Sequence, residues 1–479
     1  MTFLLGIDQG TSGTRTVVYD ETLVPLADAY VACAPATPHA GHVEHDPAAL
    51  LAAVERTARE ALAKVGATRA DAVGLANQGE TTVAWDARSG VALAPALVWQ
   101  DRRTEPVLQA LRASGAAELV ERRSGLPLDP YFSSSKMRWL LHEPTVTAAR
   151  AAGRLRLATS DAYLRERLTG RYATDPATAS RTQLLDMITV RWDPELCAAF
   201  GVPASVLPPV EATCGALGDT AFGPLTAAVT DQQAALAGHG CFVEGEAKCT
   251  YGTGCFLLTN AGTAMPPGGS GLLPTIAWQL GGKTTYATDG GVLSASSALA
   301  WLATLGVLGA AQDADAIAAT VPDCDGVRFL PALGGLGAPW WQSGSRAVFA
   351  GMTAATRPGQ LVRAVLEAIA FRVRDIVEAD PGAPLAALRV DGGLSSSRVL
   401  MQLQADILGI PLERSQAPES TALGAAALAG IGAGVLPDGD AVRALLRAPE
   451  IIEPRWSADR RDGAYNEWRT FLERASELR

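Results

Sequence analysis

Two short glycine-rich turns, about 240 residues apart, constrain the fold of this chain more than any other feature. Near the start, the apolar runs FLLGID and RTVVYD flank the turn GTSGT. From Ala247, the segment AKCTYGTGCFLLTN repeats the order strand, Gly/Thr turn, strand. Neither turn has room for a helix, so each segment is predicted to form a β-hairpin and not a βαβ unit. The pattern predicts a duplicated α/β domain that presents one phosphate-facing turn from each copy.

The stretch between the two hairpins is predicted to alternate helices with short strands. Apolar residues from Pro47 to Val65 have helical spacing, and DAVGLAN after them is typical of a strand. The segment TCGALGDTAFGPL, residues 213–225, is punctuated by Gly and Pro and has no periodicity, as is typical of a linker. The chain of 479 residues is long enough for two to four domains. We therefore predict an N-terminal domain over residues 1–220 and a C-terminal domain over residues 221–479.

Charge and composition exclude several classes of partner. The formal net charge of -10 disfavours binding to nucleic acid. The uncharged run STALGAAALAGIGAGVLP, residues 420–437, is rich in Ala and Gly and ends in proline, which favours a tightly packed helix over a membrane span. The apolar run at the N-terminus has no basic start and ends at Asp8, unlike a signal peptide. Seven scattered cysteines without metal-ligand spacing indicate reduced thiols, so we expect a cytoplasmic protein with no membrane partner.

The first turn has the chemistry of a phosphate site. Its glycines allow the backbone to approach an anion, Thr11, Ser12 and Thr14 offer hydroxyl donors, and Arg15 offers a positive charge. Asp8, at the end of the first strand, is placed to meet a hydrated Mg²⁺. The alternatives are an ordinary Gly/Thr hairpin turn and an aspartate that only caps it. Further on, LRVDGGLSSSRVL predicts a strand, a Gly-Gly turn and a helix, and serines 395–397 at the helix start suit a phosphate or a nucleotide sugar.

A series of motifs, in order along nearly the whole chain, resembles the FGGY carbohydrate kinases. These motifs are DQGTSGTRTVVYD near the start, GHVEHDP at 41–47, VWQDRRT at 98–104, DQQAAL at 231–236, TYGTGCFLLTN at 250–260, GLGAPWW at 335–341, and LRVDGG with TALGAA near the end. The members that phosphorylate glycerol resemble the chain most. The resemblance implies two duplicated actin-like ATPase domains, of the ribonuclease H-like type, with an interdomain catalytic cleft. It implies ATP and Mg²⁺ as cofactors, a small polyol or sugar as substrate, and a homodimer or homotetramer.

The resemblance also implies the residues of the site. Asp231 resembles the family's catalytic base, a carboxylate that accepts the proton of a primary hydroxyl as its oxygen attacks the γ-phosphate; by itself, an aspartate before Gln-Gln would be a helix N-cap. The implied polyol contacts are Gly79, Glu80, Trp99, Tyr131, Asp231, Gln232 and Phe256. The implied nucleotide contacts are Thr11, Ser12, Thr14, Arg15, Thr253, Gly254, Ser296, Gly392, Gly393 and Ser397, and Asp8 would meet the metal through water.

Two departures from the family pattern affect the expected contacts with the substrate and with the adenine of ATP. Members that act on glycerol usually carry Arg before the glutamate, whereas this chain reads Asn77-Gln78-Gly79-Glu80. The missing donor leaves room for a longer substrate, although water or an arginine from elsewhere could fill it. At the adenine side, Ala300 and Ser397 replace the usual Gln and Asn. We expect phosphorylation of a terminal hydroxyl of glycerol or a related polyol. The alternatives are a tetritol or pentulose kinase and, in a different class, a sugar sensor or an actin-like ATPase.

Overall fold

The computed structural model describes residues 1–342, 344–417 and 419–478. The first part of the chain contains β1 (Leu4–Gln9), β2 (Gly13–Tyr19), β3 (Pro25–Ala32), β4 (Glu44–His45), α1 (Pro47–Lys64), β5 (Ala72–Asn77), β6 (Thr82–Asp86), β7 (Ala96–Leu97), α2 (Glu105–Ala113), α3 (Ala116–Ser124), α4 (Ser133–Leu140), α5 (Pro144–Ala151), β8 (Leu155–Thr159), α6 (Ser160–Thr169), α7 (Pro176–Ser180), β9 (Leu185–Asp186), β10 (Arg191–Trp192), α8 (Pro194–Phe200), β11 (Cys214–Thr220), β12 (Gly223–Thr230) and α9 (Asp231–Gly238).

The second part contains β13 (Ala247–Tyr251), β14 (Cys255–Gly262), β15 (Leu273–Leu280), β16 (Lys283–Val292), α10 (Ser296–Thr304), α11 (Ala314–Ala318), β17 (Arg328–Leu330), β18 (Val348–Ala350), α12 (Pro358–Ala379), β19 (Leu388–Asp391), α13 (Arg398–Leu408), β20 (Leu412–Arg414), α14 (Ser420–Gly432), α15 (Gly439–Leu445), β21 (Glu450–Ile452) and α16 (Ala458–Ser476). Short 3-10 turns lie at Ala204–Val206, Ala311–Asp313 and Gly393–Ser396.

Two large sheets repeat one order of strand pairing. The first sheet runs β11-β12-β5-β1-β2-β3 and the second runs β15-β16-β14-β13-β19-β20-β21. In the first sheet β1 pairs antiparallel with β2 and parallel with β5, and β12 continues the parallel part. In the second, β13 pairs antiparallel with β14 and parallel with β19, and β20 continues. Each half thus has antiparallel strands on one side of its first strand and, on the other, two parallel strands followed by an antiparallel edge strand. The predicted two-domain α/β fold is confirmed.

Local sequence signals account for the elements beside the first sheet. Asp46 accepts a hydrogen bond from the backbone nitrogen of Ala48 at 2.9 Å and so caps α1, and Pro47 occupies the first turn, where no intrahelical donor is needed. The apolar face of α1, with Leu50, Val54 and others, is buried against β2 and β3. The helix predicted from apolar spacing is therefore confirmed.

The segment expected to be a linker is part of the first sheet. Residues 214–220 form β11, which turns directly into β12, and β12 pairs with β5. The glycines read as linker punctuation lie instead at a register irregularity between Cys214 and Gly218 and at the turn before Gly223. The proposed division between residues 220 and 221 falls inside this turn, and the first sheet extends to Thr230.

Helix α14 connects the far end of the chain to the first sheet. It packs against β1, β5, β12 and α9 along an Ala- and Gly-rich surface. The approach is so close that a Cβ added at Gly424 would lie 1.7 Å from the carbonyl oxygen of Ala234, and one at Gly74 would lie 1.9 Å from that of Ala425. The uncharged run at 420–437 thus begins as a buried 13-residue helix. Within the part of the chain that the structure describes, no helix combines the length and apolar character needed to cross a membrane.

Substitution of Gly424 tests this packing. We expect Gly424→Ala to destabilise the protein by about 3 kcal/mol or more, because the added methyl group overlaps backbone atoms that cannot rotate away. Gly463→Ala is the matched control, since Gly463 also lies inside a helix, α16, but has no atom within 4 Å of its added Cβ. That variant should gain up to about 1 kcal/mol from helix propensity. Chemical unfolding of both variants measures the difference, and equal effects would contradict the close approach.

Candidate active site

The carboxyl ends of β1 and β5 hold a group of buried polar atoms that form no hydrogen bond with any described residue. They are Gln9 Oε1, Thr14 Oγ1, Asn77 Oδ1 and Gln78 Nε2. Gln9 lies opposite both Thr14 and Asn77 in the strand register, so these groups share one edge of the first sheet. Buried polar groups are rarely left without hydrogen bonds in the absence of a ligand or water. This edge therefore has the character of a binding site.

The first glycine turn lies at the same edge. The backbone nitrogen of Gly10 donates to the carbonyl of Gly13 at 3.0 Å and closes the turn. Thr11 accepts from Trp99 Nε1 at 2.9 Å, which ties the turn to an aromatic side chain from the segment after β7. Ser12 is exposed and Thr14 is buried. The three predicted hydroxyl donors, Thr11, Ser12 and Thr14, therefore all lie at the first glycine turn.

Arg15 is held by carboxylates. Its guanidinium lies 2.6 Å from Asp28 Oδ2 and 3.0 Å from Glu419 Oε1, so it joins β2 to β3 and to the residue before α14. Contact with a phosphate therefore requires Arg15 to share or exchange these partners.

The second glycine turn, residues 252–254, is joined to the start of α10 by backbone hydrogen bonds. The carbonyl of Thr253 accepts from the backbone nitrogens of Ala295 and Ser297, and the backbone nitrogen of Ser296 donates to the carbonyl of Gly252 at 3.1 Å. Gly254 approaches the carbonyl oxygen of Val292, which would lie 2.4 Å from an added Cβ. The predicted residues Thr253, Gly254 and Ser296 therefore form one connected surface at the start of α10.

At the third glycine turn, residues 391–393 at the end of β19, the serine hydroxyls that follow are hydrogen-bonded within the protein. Gly392 has φ +87° and packs on the backbone of Tyr251, where an added Cβ would lie 2.5 Å from its oxygen. Gly393 begins the 3-10 turn that follows. Ser397 accepts from the backbone nitrogen of Leu400 at 3.0 Å, so it caps α13, and it donates to Asp315 Oδ1. The hydroxyls of serines 395 and 396 donate to nearby carbonyls. This turn can thus present backbone groups more readily than hydroxyls.

Asp231 is the first residue of α9, directly after β12. Its Oδ1 accepts from the backbone nitrogen of Gln232 at 2.6 Å. Burial, followed by the negative charge of Glu80, raises the pKa of Asp231 to about 6. Burial and the charges of Asp231 and Glu419 raise the pKa of Asp8 to about 8. Asp8 and Asp231 are therefore near enough to interact electrostatically, and neither forms an ion pair with a described residue.

The predicted polyol contacts of the first half form one aromatic and acidic pocket. The rings of Trp99 and Tyr131 meet edge to face at 5.4 Å between centroids. Glu80 is buried, and burial raises the pKa of its carboxyl although Arg181 opposes the shift. An added Cβ at Gly79 would lie 3.4 Å from Thr230 Cγ2 and 3.9 Å from Arg181 Cγ. Gly79 therefore borders Arg181.

The second half supplies a buried lysine beside Gln232 and Phe256. Lys248 Nζ lies 2.5 Å from Gln232 Oε1 and 3.4 Å from the carbonyl of Phe256, and it also donates to Thr250 Oγ1 at 3.1 Å. Burial lowers the pKa of Lys248, while the charges of Asp391 and Asp231 oppose the shift. Lys248 thus fixes the amide oxygen of Gln232 and adds a positive charge near Asp231.

The sequence reasoning missed Arg181, Asp289 and Lys248. Arg181 lies 2.7 Å from Glu80 Oε1 and 2.9 Å from Asp289 Oδ2, although Glu80 is 101 residues away in sequence. The available signal was indirect: a glutamate in an apolar strand region needs a cationic partner when buried. Nothing in the sequence says which arginine supplies it.

Among the described residues, no group of three or more His, Cys, Asp or Glu side chains is arranged to hold a metal ion by itself. Asp8 and Asp231 are nevertheless two neighbouring carboxylates with raised pKa values. A hydrated divalent cation bound to phosphates fits this donor set, because it would need only one or two carboxylates from the protein.

Comparison with known proteins gives consistent matches along the whole chain. Residues 3–238 match the N-terminal domain, and residues 247–433 the C-terminal domain, of the FGGY family of carbohydrate kinases. The chain is 43% identical over 490 residues to the glycerol kinase of Aromatoleum aromaticum, with 99% of both chains covered, and 42% identical to that of Thermus brockianus, with 99% of both covered.

Solved structures of sugar and polyol kinases also match this fold over nearly the full chain. Plasmodium falciparum glycerol kinase with ADP superposes with a TM-score of 0.93 at 32% identity, covering 99% of this chain and 98% of that one. The xylulose kinase from Rhodospirillum rubrum superposes with a TM-score of 0.87 at 27% identity, covering 98% of each chain. The same fold therefore carries sites for substrates of different length.

Proposed function

Because the chain belongs to the FGGY family of carbohydrate kinases, we propose that it transfers the γ-phosphoryl group of ATP to a terminal hydroxyl of glycerol, giving glycerol 3-phosphate and ADP. The observation that carries this proposal is Asp231. Its buried carboxylate stands at the start of α9, where it interacts electrostatically with Glu80 of the predicted polyol contacts and with Asp8 beside the first glycine turn. Relatives that are about 43% identical over nearly the full chain are named glycerol kinases.

Asp231 is the proposed general base. Its raised pKa, about 6, leaves the carboxylate ionised at neutral pH and basic enough to accept the hydroxyl proton as the oxygen attacks. The attacking oxygen, the γ-phosphorus and the leaving oxygen then need to be in line, which is a matter of positioning. Gln232, which is held by Lys248, is proposed to orient the same polyol.

The remaining polyol contacts are proposed from the pocket itself. Glu80 accepts hydrogen bonds from hydroxyls, and the faces of Trp99, Tyr131 and Phe256 pack on the carbon chain. Gly79 borders the substrate without supplying a donor. Closure of the two halves is expected to exclude water, which would otherwise compete for the γ-phosphoryl group.

On the nucleotide side, we propose that the three glycine turns hold the phosphates. Thr11, Ser12, Thr14 and Arg15 belong to the first turn, Thr253, Gly254 and Ser296 to the second, and Gly392, Gly393 and Ser397 to the third. Backbone nitrogens carry most of the proposed contacts at the third turn, since the hydroxyl of Ser397 is already bonded to Asp315. Arg15 would exchange a carboxylate for a phosphate.

Mg²⁺ is proposed to accompany the nucleotide, with Asp8 holding it through water. When bound, the cation neutralises charge on the β- and γ-phosphates. Asp8 suits this role because its carboxylate interacts electrostatically with that of Asp231 and both are destabilised in the charged form. The seven cysteines are free thiols, which suits a cytoplasmic enzyme. A homodimer or homotetramer stays a prediction, to be checked by light scattering.

The test of the proposal is a panel assay of ADP release with glycerol, erythritol, xylitol, xylulose and ribulose. We expect glycerol to have the highest kcat/KM. If a four- or five-carbon substrate ranks first, the protein is instead a tetritol or pentulose kinase. The observation that favours this alternative is the absence of a side chain at Gly79, which leaves room for a longer substrate. No stimulation by any of these compounds would favour a sugar sensor or an ATPase.

The pH dependence of turnover follows from the raised carboxylate pKa values. Asp231 accepts a proton only when ionised, so kcat/KM for the polyol should fall about tenfold per pH unit below about pH 6 at saturating Mg²⁺. A cation beside Asp8 favours its ionised form and lowers its pKa from about 8. At limiting Mg²⁺ the acid limb should therefore move upward toward pH 8. Profiles of kcat/KM against pH at two Mg²⁺ concentrations measure both effects. An acid limb near pH 4 whose position does not change with the Mg²⁺ concentration would contradict the roles assigned to Asp231 and Asp8.

A further inference from the structure

A buried ion cluster joins the two halves of the chain at the polyol pocket. Arg181, which follows α7, lies with Nε 2.7 Å from Glu80 Oε1 and with Nη2 2.9 Å from Asp289 Oδ2. Glu80 follows β5 in the first half, and Asp289 belongs to β16 in the second. The side chains of Arg181 and Glu80 are 5% and 6% exposed, and that of Asp289 is 12% exposed, so water does not screen the cluster.

The third nitrogen of the Arg181 guanidinium has no hydrogen-bond partner in the described part of the chain. Nη1 of Arg181 is buried and makes no hydrogen bond with any described residue. The guanidinium carbon lies 5.7 Å from the ring centroid of Tyr131 and 5.5 Å from that of Phe132. These aromatic contacts stabilise the charge but accept no conventional hydrogen bond. A buried charged donor that lacks an acceptor is costly, so its position beside the pocket points to an acceptor on the ligand.

Each carboxylate of the cluster also keeps one oxygen free of protein donors. Arg181 pairs with Oε1 of Glu80 and with Oδ2 of Asp289, and Glu80 Oε2 and Asp289 Oδ1 accept no hydrogen bond from a described residue. The cluster therefore offers one donor between two acceptors. Neighbouring hydroxyls of a polyol, each of which donates and accepts, match this pattern.

We propose that Arg181 and Asp289 determine the specificity of the polyol pocket. Arg181 donates from Nη1 to a hydroxyl oxygen of the substrate and holds both carboxylates in place, while Asp289 brings an acceptor from the second half of the chain to the same substrate. This inference rests on the proposed function. It assigns to Arg181 the donor that Gly79 cannot supply, and the Cβ direction of Gly79 toward Arg181 Cγ is consistent with that assignment.

The cluster also limits the charge of the substrate. Asp231, Glu80 and Asp289 are three carboxylates, and Arg181, Lys248 and Lys136, whose ammonium interacts with Glu80, are three cations. An anionic sugar acid would add an unpaired negative charge to a buried site whose nearby charges already balance. A neutral polyol or ketose does not incur this cost. We therefore expect glycerate to be a far poorer substrate than glycerol.

Two variants test the proposal. Arg181→Lys keeps the positive charge but cannot reach both carboxylates and the ligand at once, and Asp289→Asn keeps the side-chain shape but removes the charge. Each is expected to raise the KM for the polyol by about tenfold or more and to leave the KM for ATP within about twofold. Asp289→Asn is further expected to narrow the preference for glycerol over glycerate.

Arg372→Lys is the matched control. Arg372 is also buried and paired with a carboxylate, Asp375 Oδ2, at 2.6 Å, but it lies in α12 and not among the pocket residues. This variant should lower the unfolding temperature and leave the polyol KM unchanged. If Arg181→Lys fails to fold, Asp289→Asn decides the question alone.

The outcomes separate this inference from the function on which it rests. Wild-type protein that releases no ADP in response to any polyol contradicts the proposed function. Active wild-type protein with variants of Arg181 or Asp289 that keep the polyol KM within about twofold overturns the inference and leaves the function standing. A rise in the polyol KM that Arg372→Lys reproduces to the same extent also overturns it, because the effect would then be a general loss of stability.

Discussion

Replacing Asp231 by Asn is expected to lower kcat about 10³-fold while nucleotide affinity stays within about twofold. The amide has the shape of the carboxylate, and its oxygen can still accept from the backbone nitrogen of Gln232, so the start of α9 is preserved. What is lost is the ability to take the hydroxyl proton. ADP release at saturating polyol measures kcat, and calorimetric titration with ADP measures nucleotide affinity.

Asp193→Asn is the control for this variant. Asp193 also stands at a helix start, where it accepts from the backbone nitrogens of Glu195 and Leu196 at 2.7 and 2.9 Å, but the helix is α8, away from the cleft. It should change stability slightly and leave kcat unchanged. Turnover of Asp231→Asn within threefold of the wild type would remove Asp231 from the role of base.

Replacing Glu80 by Gln is the second large effect. The change removes the charge that Arg181 faces at 2.7 Å and weakens an acceptor for the polyol. We expect kcat/KM for the polyol to fall by about 10²-fold, since buried charged hydrogen bonds are worth more than neutral ones. Stability should fall by about 1–3 kcal/mol, less than for removal of the partner altogether, because the amide oxygen can still accept.

Asp375→Asn separates the two effects of that change. Asp375 is a buried carboxylate paired with Arg372, and it also accepts from Trp468 Nε1 at 3.2 Å, so its loss should cost at least as much stability. It should leave polyol kcat/KM unchanged in protein that remains folded. If Glu80→Gln changes kcat/KM by less than threefold, Glu80 does not bind the substrate. Chemical unfolding and steady-state rates on the same preparations make the comparison.

The parts of the fold that follow local patterns could be predicted from the sequence. Helix α1 follows its apolar spacing and its cap at Asp46, and both glycine hairpins form where their turns are too short for a helix. The duplication follows from the hairpins because each begins an equivalent sheet. These features depend on residues close together in the chain.

The segment at 213–225 shows where local reading fails. The glycines whose pattern predicts a linker lie in a bulged edge strand, β11, and in the turn that follows it. This strand belongs to the first sheet because its neighbour β12 pairs with β5, which lies about 150 residues earlier in the chain. No local pattern specifies that pairing, since the glycine punctuation of a bulge and of a linker is the same.

The polar details of the site depend on distant partners in the same way. The sequence suggests a free hydroxyl at Ser397, at the start of a helix. In the structure this hydroxyl donates a hydrogen bond to Asp315, 82 residues earlier in the chain. Arg15 read as a phosphate ligand, but Glu419 from the far end of the chain also holds it. The roles of both residues toward the nucleotide stay predictions. A sequence names the groups that can bind, whereas the fold decides which of them the protein itself has already engaged.

The most direct test of the whole account is the identity of the phosphorylated product. Wild-type protein incubated with ATP, Mg²⁺ and glycerol should give, by phosphorus NMR, a phosphomonoester of glycerol in amounts equal to the ADP formed, with little inorganic phosphate. Inorganic phosphate in place of the ester would show that water and not a polyol hydroxyl attacks the γ-phosphoryl group, and the proposed role of the cleft would then be wrong.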